Sequence, residues 1–270
     1  MKRTLATSIS PTRPHTIQPA TEPAALSSAR KGAANGPQPE RPSQWLKARR
    51  AVDVVVVLVT APVTVPLGLL TMLAVLIQDR AIPLVRINRV GRHGTLLQIV
   101  KIRTMRDVQG SGPSITSSTD SRVTQLGSVL RSLRLDELPQ LVSVLSGKLA
   151  LIGPRPETAM FVNLSDDNWN TALSVRPGIA GITQIVASPW EATELDLSNP
   201  EARYRDVAVP AKLAIDVWYA NNASLRLDAV ICTSLISMMV FGRTWTRAHQ
   251  LVAENVPAAE PLLARFRPDA

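Results

Sequence analysis

Two adjacent carboxylates, Asp136 and Glu137, stand in Leu135-Asp-Glu-Leu-Pro-Gln-Leu141, with Arg131 and Arg134 just upstream. Farther along, Leu149-Ala-Leu-Ile-Gly-Pro-Arg-Pro-Glu157 holds Arg155 between two prolines that stiffen its backbone. A carboxylate at a helix start is favoured by the backbone N–H groups and the helix dipole. Kept ionised, it can attack phosphorus. It can also hold Mg²⁺, which takes few protein carboxylates and completes its shell with phosphate oxygens. Arginine grips phosphate with two parallel hydrogen bonds. Carboxylate, cation site and fixed guanidinium together suit phosphoryl transfer. Taken alone, the dipeptide is also an ordinary helix cap.

The elements around this cluster follow from periodicity. Val123 to Leu133 places Leu126, Val129, Leu130 and Leu133 at helical spacing. Leu138, Leu141, Val142 and Leu145 form the face of a second helix. Its start is marked by Asp136 as N-cap and Pro139 in the first turn, and Gly147 follows its end. Leu96-Leu-Gln-Ile-Val-Lys-Ile-Arg103 reads as a short strand, and Gln109 to Asp120, rich in Gly, Ser and Thr, as a loop. Ala229 to Phe241 carries no charge; its 13 residues are too few to cross a bilayer and fit a core helix or an interfacial one. There is no internal repeat.

Ahead of these elements runs a longer apolar stretch. Val54 to Gln78 is 25 residues without a charge, and about 20 suffice to cross a bilayer. Pro62 and Pro66 sit in its middle, each removing a backbone donor. Both flanks are basic: Lys47, Arg49 and Arg50 before, Arg80, Arg86, Arg89 and Arg92 after. A true span separates its basic side from the other. Equal basicity favours a re-entrant helix that breaks and returns, with its broken backbone shielded by protein or water.

Charge and composition exclude several classes. The chain has 270 residues and a net charge of +9, but residues 1–50 hold nine basic and two acidic residues, a net +7. The remainder is nearly balanced, which argues against a nucleic-acid surface. Aromatics make up 4 %, too few for a base-stacking platform. One cysteine, Cys232, excludes a disulfide framework or a cysteine metal cluster; it lies on an apolar stretch and reads as core. His15, His93 and His249 show no metal-ligand spacing, and His93 in Gly91-Arg-His-Gly94 reads as a turn residue. Residues 1 to about 42 hold seven prolines and no aromatic residue, and read as disordered.

Several motifs in order resemble the bacterial polyprenyl-phosphate sugar phosphotransferases, the monotopic phosphoglycosyltransferases. The resemblance runs from about Trp45 to Gly242. It is carried by Lys47-Ala-Arg-Arg-Ala-Val-Asp53, Arg89-Val-Gly91, Gly94 and Lys101-Ile-Arg-Thr-Met105. Asp120-Ser-Arg-Val-Thr124, Leu126-Gly127, the Asp136–Glu137 segment and Gly153-Pro-Arg-Pro156 continue it. Arg176-Pro-Gly-Ile-Ala-Gly181, Gln184, Asp216-Val-Trp-Tyr219 and Asp228 complete it. The chain departs from the usual pattern at Ala61, before Pro62, where the family commonly has Ser.

The resemblance implies that Asp136 attacks the sugar-bearing phosphorus of a UDP-sugar, releasing UMP and leaving an aspartyl-phosphosugar. Polyprenyl (undecaprenyl) phosphate then takes up the sugar phosphate, starting a lipid-linked glycan for exopolysaccharide, capsule or glycoconjugate. It assigns Glu137 to Mg²⁺, shared with Asp136, or to the second step. It assigns the loop from Lys101 to Arg106, with Lys101 and Arg103, and Arg155 to phosphates, with Arg131 and Arg134 beside them, and less directly Arg176 and Gln184. It places the membrane-helix break at Pro62. The fold expected is mainly α with short β elements: a re-entrant membrane helix plus interfacial helices and a small cytoplasmic catalytic domain. The expected divisions are a basic, Pro-rich tail (1–42), the membrane-inserted helix (43–80), the catalytic domain (81–245) and a C-terminal tail (246–270). The site is expected on the cytoplasmic face of the bacterial inner membrane, in the short form of the family. Partners expected are the UDP-sugar, polyprenyl phosphate and the lipid bilayer, with no nucleic acid. A homo-oligomer and downstream glycosyltransferases stay open. The competing reading is a catalytically silent membrane scaffold.

Overall fold

The computed structural model describes residues 43–106, 120–195 and 199–266. The expected tail over 1–42 and most of the expected 109–120 loop lie outside them. The architecture is mostly helical, with two small two-stranded sheets.

The apolar run forms one continuous helix, α1 (Ser43–Asp79, 37 residues), about 55 Å long at 1.5 Å per residue. It is long and apolar enough to cross a membrane. Pro62 and Pro66 lie inside it, so Pro62 is a proline within a helix and not a gap between two helices. Thr60 and Thr64 donate to Val56 and Thr60 carbonyls on this stretch. Both arms of α1 pack on the same globular body. Near its start, Val57 joins Leu97, Ile99, Val144 and Leu149 in one apolar cluster. Near its end, Val75 joins Ile102 and Leu130 in another. Between them Val59, Val63 and Val65 are exposed.

β1 (Leu84–Val90) and β2 (Leu96–Ile102) form an antiparallel hairpin with Leu84 opposite Ile102. The turn between them contains His93 in left-handed backbone, as the turn reading expects. Alternation along β2 buries Leu97 and Ile99 and puts Lys101 on the same face. A lysine on the buried face of a strand needs a counter-charge.

α2 (Gln125–Ser132) opens with Thr124 accepting from the Gly127 N–H. The second helix starts later than its pattern suggests. Leu135–Glu137 is a single 3₁₀ turn, and α3 (Gln140–Leu145) begins after Pro139. Asp136 is therefore not an N-cap but a member of a tight turn whose entry residue, Arg134, has φ 55°. That left-handed conformation is costly for a non-glycine residue and marks the turn as constrained from outside. Gly147, at φ 79°, follows α3 as expected.

β3 (Ala150–Ile152) pairs in parallel with β4 (Gly178–Ala180), and α4 (Asp167–Ala172) lies between them in sequence. The glycines here are a matter of space: a Cβ on Gly178 would lie 2.2 Å from the Gly153 nitrogen. The rest is helical: α5 (Ile182–Glu194), α6 (Pro200–Arg203), α7 (Val209–Asn222), α8 (Leu225–Phe241), α9 (Arg247–Asn255) and α10 (Glu260–Leu263). The main core joins Ile182, Ile185, Trp190, Ile215, Tyr219, Ile231, Val252 and Leu262. The expected C-terminal tail from 246 is thus part of that core up to Phe266. α8 is split by face: Leu227 and Ile231 are buried, while Ile236, Val240 and Phe241 are exposed. Cys232, expected in the core, is exposed, because it sits on the outer face of α8.

The start of α1 is keyed into this body by polar contacts. Arg49 Nε donates to Asp228 at 2.9 Å and Nη2 to Tyr219 Oη at 2.8 Å, and the guanidinium also reaches the Ile152 carbonyl. Tyr219 in turn donates to Asp228 at 2.5 Å.

Candidate active site

A cavity of about 700 Å³ opens between the hairpin, the 3₁₀ turn and α5–α7. Lys101, Arg103, Arg131, Arg134, Asp136, Glu137, Arg155 and Gln184 all line it. Eight positions scattered over 84 residues of sequence thus share one wall.

Each arrives by a different route. Lys101 and Arg103 come from the end of β2, where the pleat turns Lys101 inward. Arg131 is in the last turn of α2 and donates from Nε to Thr104 Oγ1 at 2.8 Å. Asp136 and Glu137 are held by the 3₁₀ turn, both nearly fully buried. Arg155 follows β3, its Nη1 bonded to the Ile179 carbonyl at 3.0 Å, so the strand pair orients it. Gln184 is in the first turn of α5, with its Oε1 buried and without a hydrogen-bond partner among the described residues.

The two carboxylates are held differently. Glu137 Oε1 accepts from Arg155 Nη2 at 2.6 Å and from Lys101 Nζ at 3.0 Å, and Oε2 lies 3.8 Å from Arg134 Nη1. Burial by itself would raise its pKa, but Arg155, Lys101 and Arg134 outweigh it and bring the value down to about 2. Among the described residues no group donates a hydrogen bond to Asp136; its ion pair is with Lys101 Nζ at 4.0 Å. Burial raises the Asp136 pKa, with Glu137 adding to it against Lys101 and Arg131. Lys101 itself is pulled below the usual range by burial and by Arg155. One carboxylate is saturated with cations; its neighbour is desolvated and uncommitted. A desolvated carboxylate with open lone pairs is a competent nucleophile, and the surrounding guanidiniums are placed to hold a diphosphate.

The saturation of Glu137 bears on the expected metal. Three cations face its oxygens, leaving Asp136 as the available carboxylate of the pair. Among the described residues no group of three or more His, Cys, Asp or Glu is disposed to hold a metal ion.

Arg176 does not join this cavity. Its backbone packs against Gly153, but its half-buried side chain lies under the influence of Arg50, Arg92, Asp53 and Arg49, toward the start of α1. The motif Arg176-Pro-Gly places the chain for β4, and the side chain leaves in another direction.

Arg106, the end of the expected phosphate loop, also lines it, whereas several lining residues escaped the sequence reading: Arg89, Arg122, Glu157, Ser188, Glu191, Tyr204 and Lys212. Arg89, Arg122 and Glu157 lay within quoted motifs, Arg89 also in the basic flank, without being assigned to the site. Ser188 and Glu191 fall four and seven residues after Gln184, hence on its helix face. Lys212 Nζ lies 3.0 Å from Glu191 Oε1, 2.5 Å from Tyr204 Oη and 3.6 Å from Glu157 Oε2. Burial opposes its charge, but Glu191, Tyr204 and Glu157 keep the ammonium well above its ordinary range. Tyr204 opens a π-helical turn, Tyr204–Ala208, and donates to Glu157 Oε2 at 2.7 Å. Behind this wall Asp216 accepts from Thr183, and burial pushes its pKa up to about 7.

A family model described as bacterial sugar transferase matches residues 44–242. One relative is the UDP-N-acetylgalactosamine-undecaprenyl-phosphate N-acetylgalactosaminephosphotransferase of Aeromonas hydrophila, 33 % identical over 198 residues. That alignment covers 72 % of this chain and 44 % of the relative. Another is the exopolysaccharide production protein ExoY of Sinorhizobium fredii, 30 % identical, covering 73 % of this chain and 87 % of the relative. A third is the UDP-glucose:undecaprenyl-phosphate glucose-1-phosphate transferase of Caulobacter vibrioides, 31 % identical, covering 68 % of this chain and 66 % of the relative. The chain thus spans less than half of the first relative and about two thirds of the third. From Gln44 to Gly242, across the hairpin, the Asp136 turn and the Arg155 loop alike, the chain belongs to the bacterial sugar transferase family.

Proposed function

We propose that the protein transfers a sugar-1-phosphate from a UDP-sugar to polyprenyl phosphate at a membrane surface, with Asp136 as nucleophile. The observation that carries this reading is the pairing of an uncommitted, buried Asp136 with a cation-saturated Glu137 in one cavity. An Asp136 oxygen attacks the sugar-bearing phosphorus. The bond from that phosphorus to the bridging oxygen breaks, and UMP leaves with the electron pair. An oxygen of the lipid phosphate then attacks the same phosphorus. The aspartyl bond breaks, the carboxylate is restored, and the product is a polyprenyl diphosphosugar. Splitting the displacement in two gives each step a good nucleophile and leaving group. Glu137 serves as the anchor that holds Lys101, Arg134 and Arg155 around the phosphates.

Mg²⁺ fits this site through Asp136 and the oxygens of an incoming diphosphate, within the one or two carboxylates such sites use. When bound it neutralises diphosphate charge. The relatives' names, with undecaprenyl phosphate as acceptor, support the choice of lipid.

Membrane attachment is assigned to α1. Its two arms pack on one body while its middle presents Val59, Val63 and Val65. That supports a helix that enters the cytoplasmic face and returns, pivoting at Pro62, over one that crosses.

The test is UMP release by the full chain in membranes, given polyprenyl phosphate, Mg²⁺ and a panel of UDP-sugars. Sustained release that needs the lipid is the expected result, with about one UMP per enzyme when the lipid is withheld. Release that survives Asp136→Asn overturns the nucleophile. No release with any UDP-sugar overturns the donor.

A further inference from the structure

A second cluster of cations lies outside the catalytic cavity, where the chain enters β3 and β4. The Ala150 N–H donates to the Pro177 carbonyl at 2.8 Å, so the segments leading into the two strands run side by side. Arg176 stands two residues before β4, and the exposed Lys148 two residues before β3. Arg92 reaches the first segment from the hairpin turn, its Nε donating to the Ser174 carbonyl at 2.8 Å. Arg50 reaches the second from α1. Its guanidinium donates to the Val144 carbonyl and, at 2.6 Å, to the Leu145 carbonyl.

The cluster carries charge that the chain does not balance. Backbone carbonyls fix Arg50 and Arg92 in place but neutralise neither. Arg176 is half-buried, and among the described residues its guanidinium makes no hydrogen bond and no close ion pair. Burial holds it below the usual guanidinium range, and Arg50 and Arg92 push it the same way. Asp53 is the carboxylate that opposes them, and it is buried with one oxygen accepting from the Leu151 N–H at 3.2 Å. Arg49, also nearby, is committed to Asp228. Three guanidiniums therefore share one buried carboxylate, and a half-buried cation among like charges is costly until an anion joins it.

The surroundings say what kind of anion. Leu145, whose carbonyl Arg50 holds, and Val142, one turn earlier on α3, both expose their side chains. Arg50 precedes the exposed Val59 by nine residues, about 13 Å along a helix axis. Half the hydrocarbon thickness of a bilayer is about 15 Å. A helix inserted by its middle thus leaves Arg50 at headgroup depth. Guanidiniums beside exposed aliphatic side chains at that depth match an anionic amphiphile. Arginine takes a phosphate with two parallel hydrogen bonds, and acyl chains cover Val142 and Leu145.

We propose that Arg176, Arg50 and Arg92 form a headgroup site for an anionic phospholipid of the surrounding bilayer, separate from the catalytic cavity. The inference rests on the membrane attachment assigned to α1 above and not on the transfer chemistry. The occupant is a bulk phospholipid and not the polyprenyl phosphate acceptor, because the acceptor's phosphate must reach Asp136 and Arg176 does not line that cavity. A lipid held there ties α1, the hairpin turn and the segment before β4 to one headgroup, and so sets how the body sits on the bilayer.

The test reconstitutes the full chain in phosphatidylcholine vesicles. Electron spin resonance then compares the association of spin-labelled phosphatidylglycerol and phosphatidylcholine with the protein. The wild type is expected to prefer phosphatidylglycerol. Arg176→Gln should lower that preference about fivefold, the worth of one cation near a headgroup, and Arg92→Gln should act in the same direction. Lys47→Gln removes an equal charge outside the cluster and should change it by less than about twofold. UMP affinity, measured by calorimetry, should stay within about twofold in Arg176→Gln, which also reports that the variant is folded. Equal association of both lipids with the wild type overturns the site, as does a preference unchanged in both cluster variants. A fall in Lys47→Gln that matches Arg176→Gln overturns it in favour of diffuse surface charge. Displacement of phosphatidylglycerol by stoichiometric polyprenyl phosphate, or loss of UMP affinity in Arg176→Gln, overturns it in favour of a substrate site. Displacement by excess inorganic phosphate overturns it in favour of a free anion. A wild type that does not stay on neutral vesicles overturns the membrane reading of α1 itself, before any lipid is compared.

Discussion

Asp136 and Glu137 are neighbours in sequence whose charges are held in opposite ways. Asp136 is destabilised as an anion by its burial. Asp136→Asn should therefore abolish UMP release, by about a thousandfold or more, without lowering the thermal midpoint, since it removes a buried charge. Glu137 is the reverse. Glu137→Gln leaves Arg155 and Lys101 without their partner and should cost about 3 kcal/mol in chemical denaturation at neutral pH. Its pKa falls from 4.5 to about 2 on folding. The folded state thus binds this proton less readily than the unfolded chain, and the stabilisation is present above about pH 4.5 and lost as pH falls toward 2. The gap between wild type and Glu137→Gln should close over that window. His249, buried against Trp245, drops from 6.5 to about 4. Stability should decline as pH falls from 6.5 to 4, and His249→Gln should flatten that part of a melting-midpoint profile.

At the scale of elements, the site depends on where short pieces of backbone come together. Gly178 brings β4 against the Gly153 loop, and a Cβ there would lie 2.2 Å from the Gly153 nitrogen and 2.6 Å from the Ile152 carbonyl carbon. Gly178→Ala should cost about 1–3 kcal/mol and shift Arg155, lowering kcat as well as the unfolding midpoint. The loop is coupled to α1 through Arg49, which reaches Asp228, Tyr219 and the Ile152 carbonyl. Arg49→Met leaves Asp228 buried without its cation and should destabilise the protein by about 3 kcal/mol. Its readout is a denaturation curve together with release of α1 to protease.

For the whole molecule, the question is which side of the bilayer each end of α1 occupies. In a Cys232→Ser background, Leu46→Cys and Ile82→Cys place one thiol near each end of the helix, both at exposed positions. A membrane-impermeant maleimide should label both from the cytoplasmic side in inverted vesicles. Labelling of one end from each side would mean a crossing helix. The basic tail is a separate matter. Deleting residues 2–40 should leave UMP release intact and weaken retention on anionic vesicles, since each Lys or Arg near such a surface contributes about 1 kcal/mol.

The sequence by itself marked out carboxylates and cations that line the cavity, and the helix long and apolar enough to cross a membrane. Motif order tied Asp136, Glu137, Lys101 and Arg155 together, and 25 residues without a charge need no tertiary context to be apolar. The strand at Leu96–Ile102 and the stop at Gly147 were local, set by pleat and by positive φ. Tertiary structure decided what local rules could not reach. Asp136 became part of a 3₁₀ turn because Arg134 is held in left-handed backbone. Arg176 came to lie near Asp53 and among Arg50 and Arg92, away from the cavity its motif suggested. Glu191 and Lys212 became a wall of that cavity only when α5 and α7 packed side by side. A charge's environment is set by groups far away in sequence, and sequence spacing records only those within a turn or two of helix.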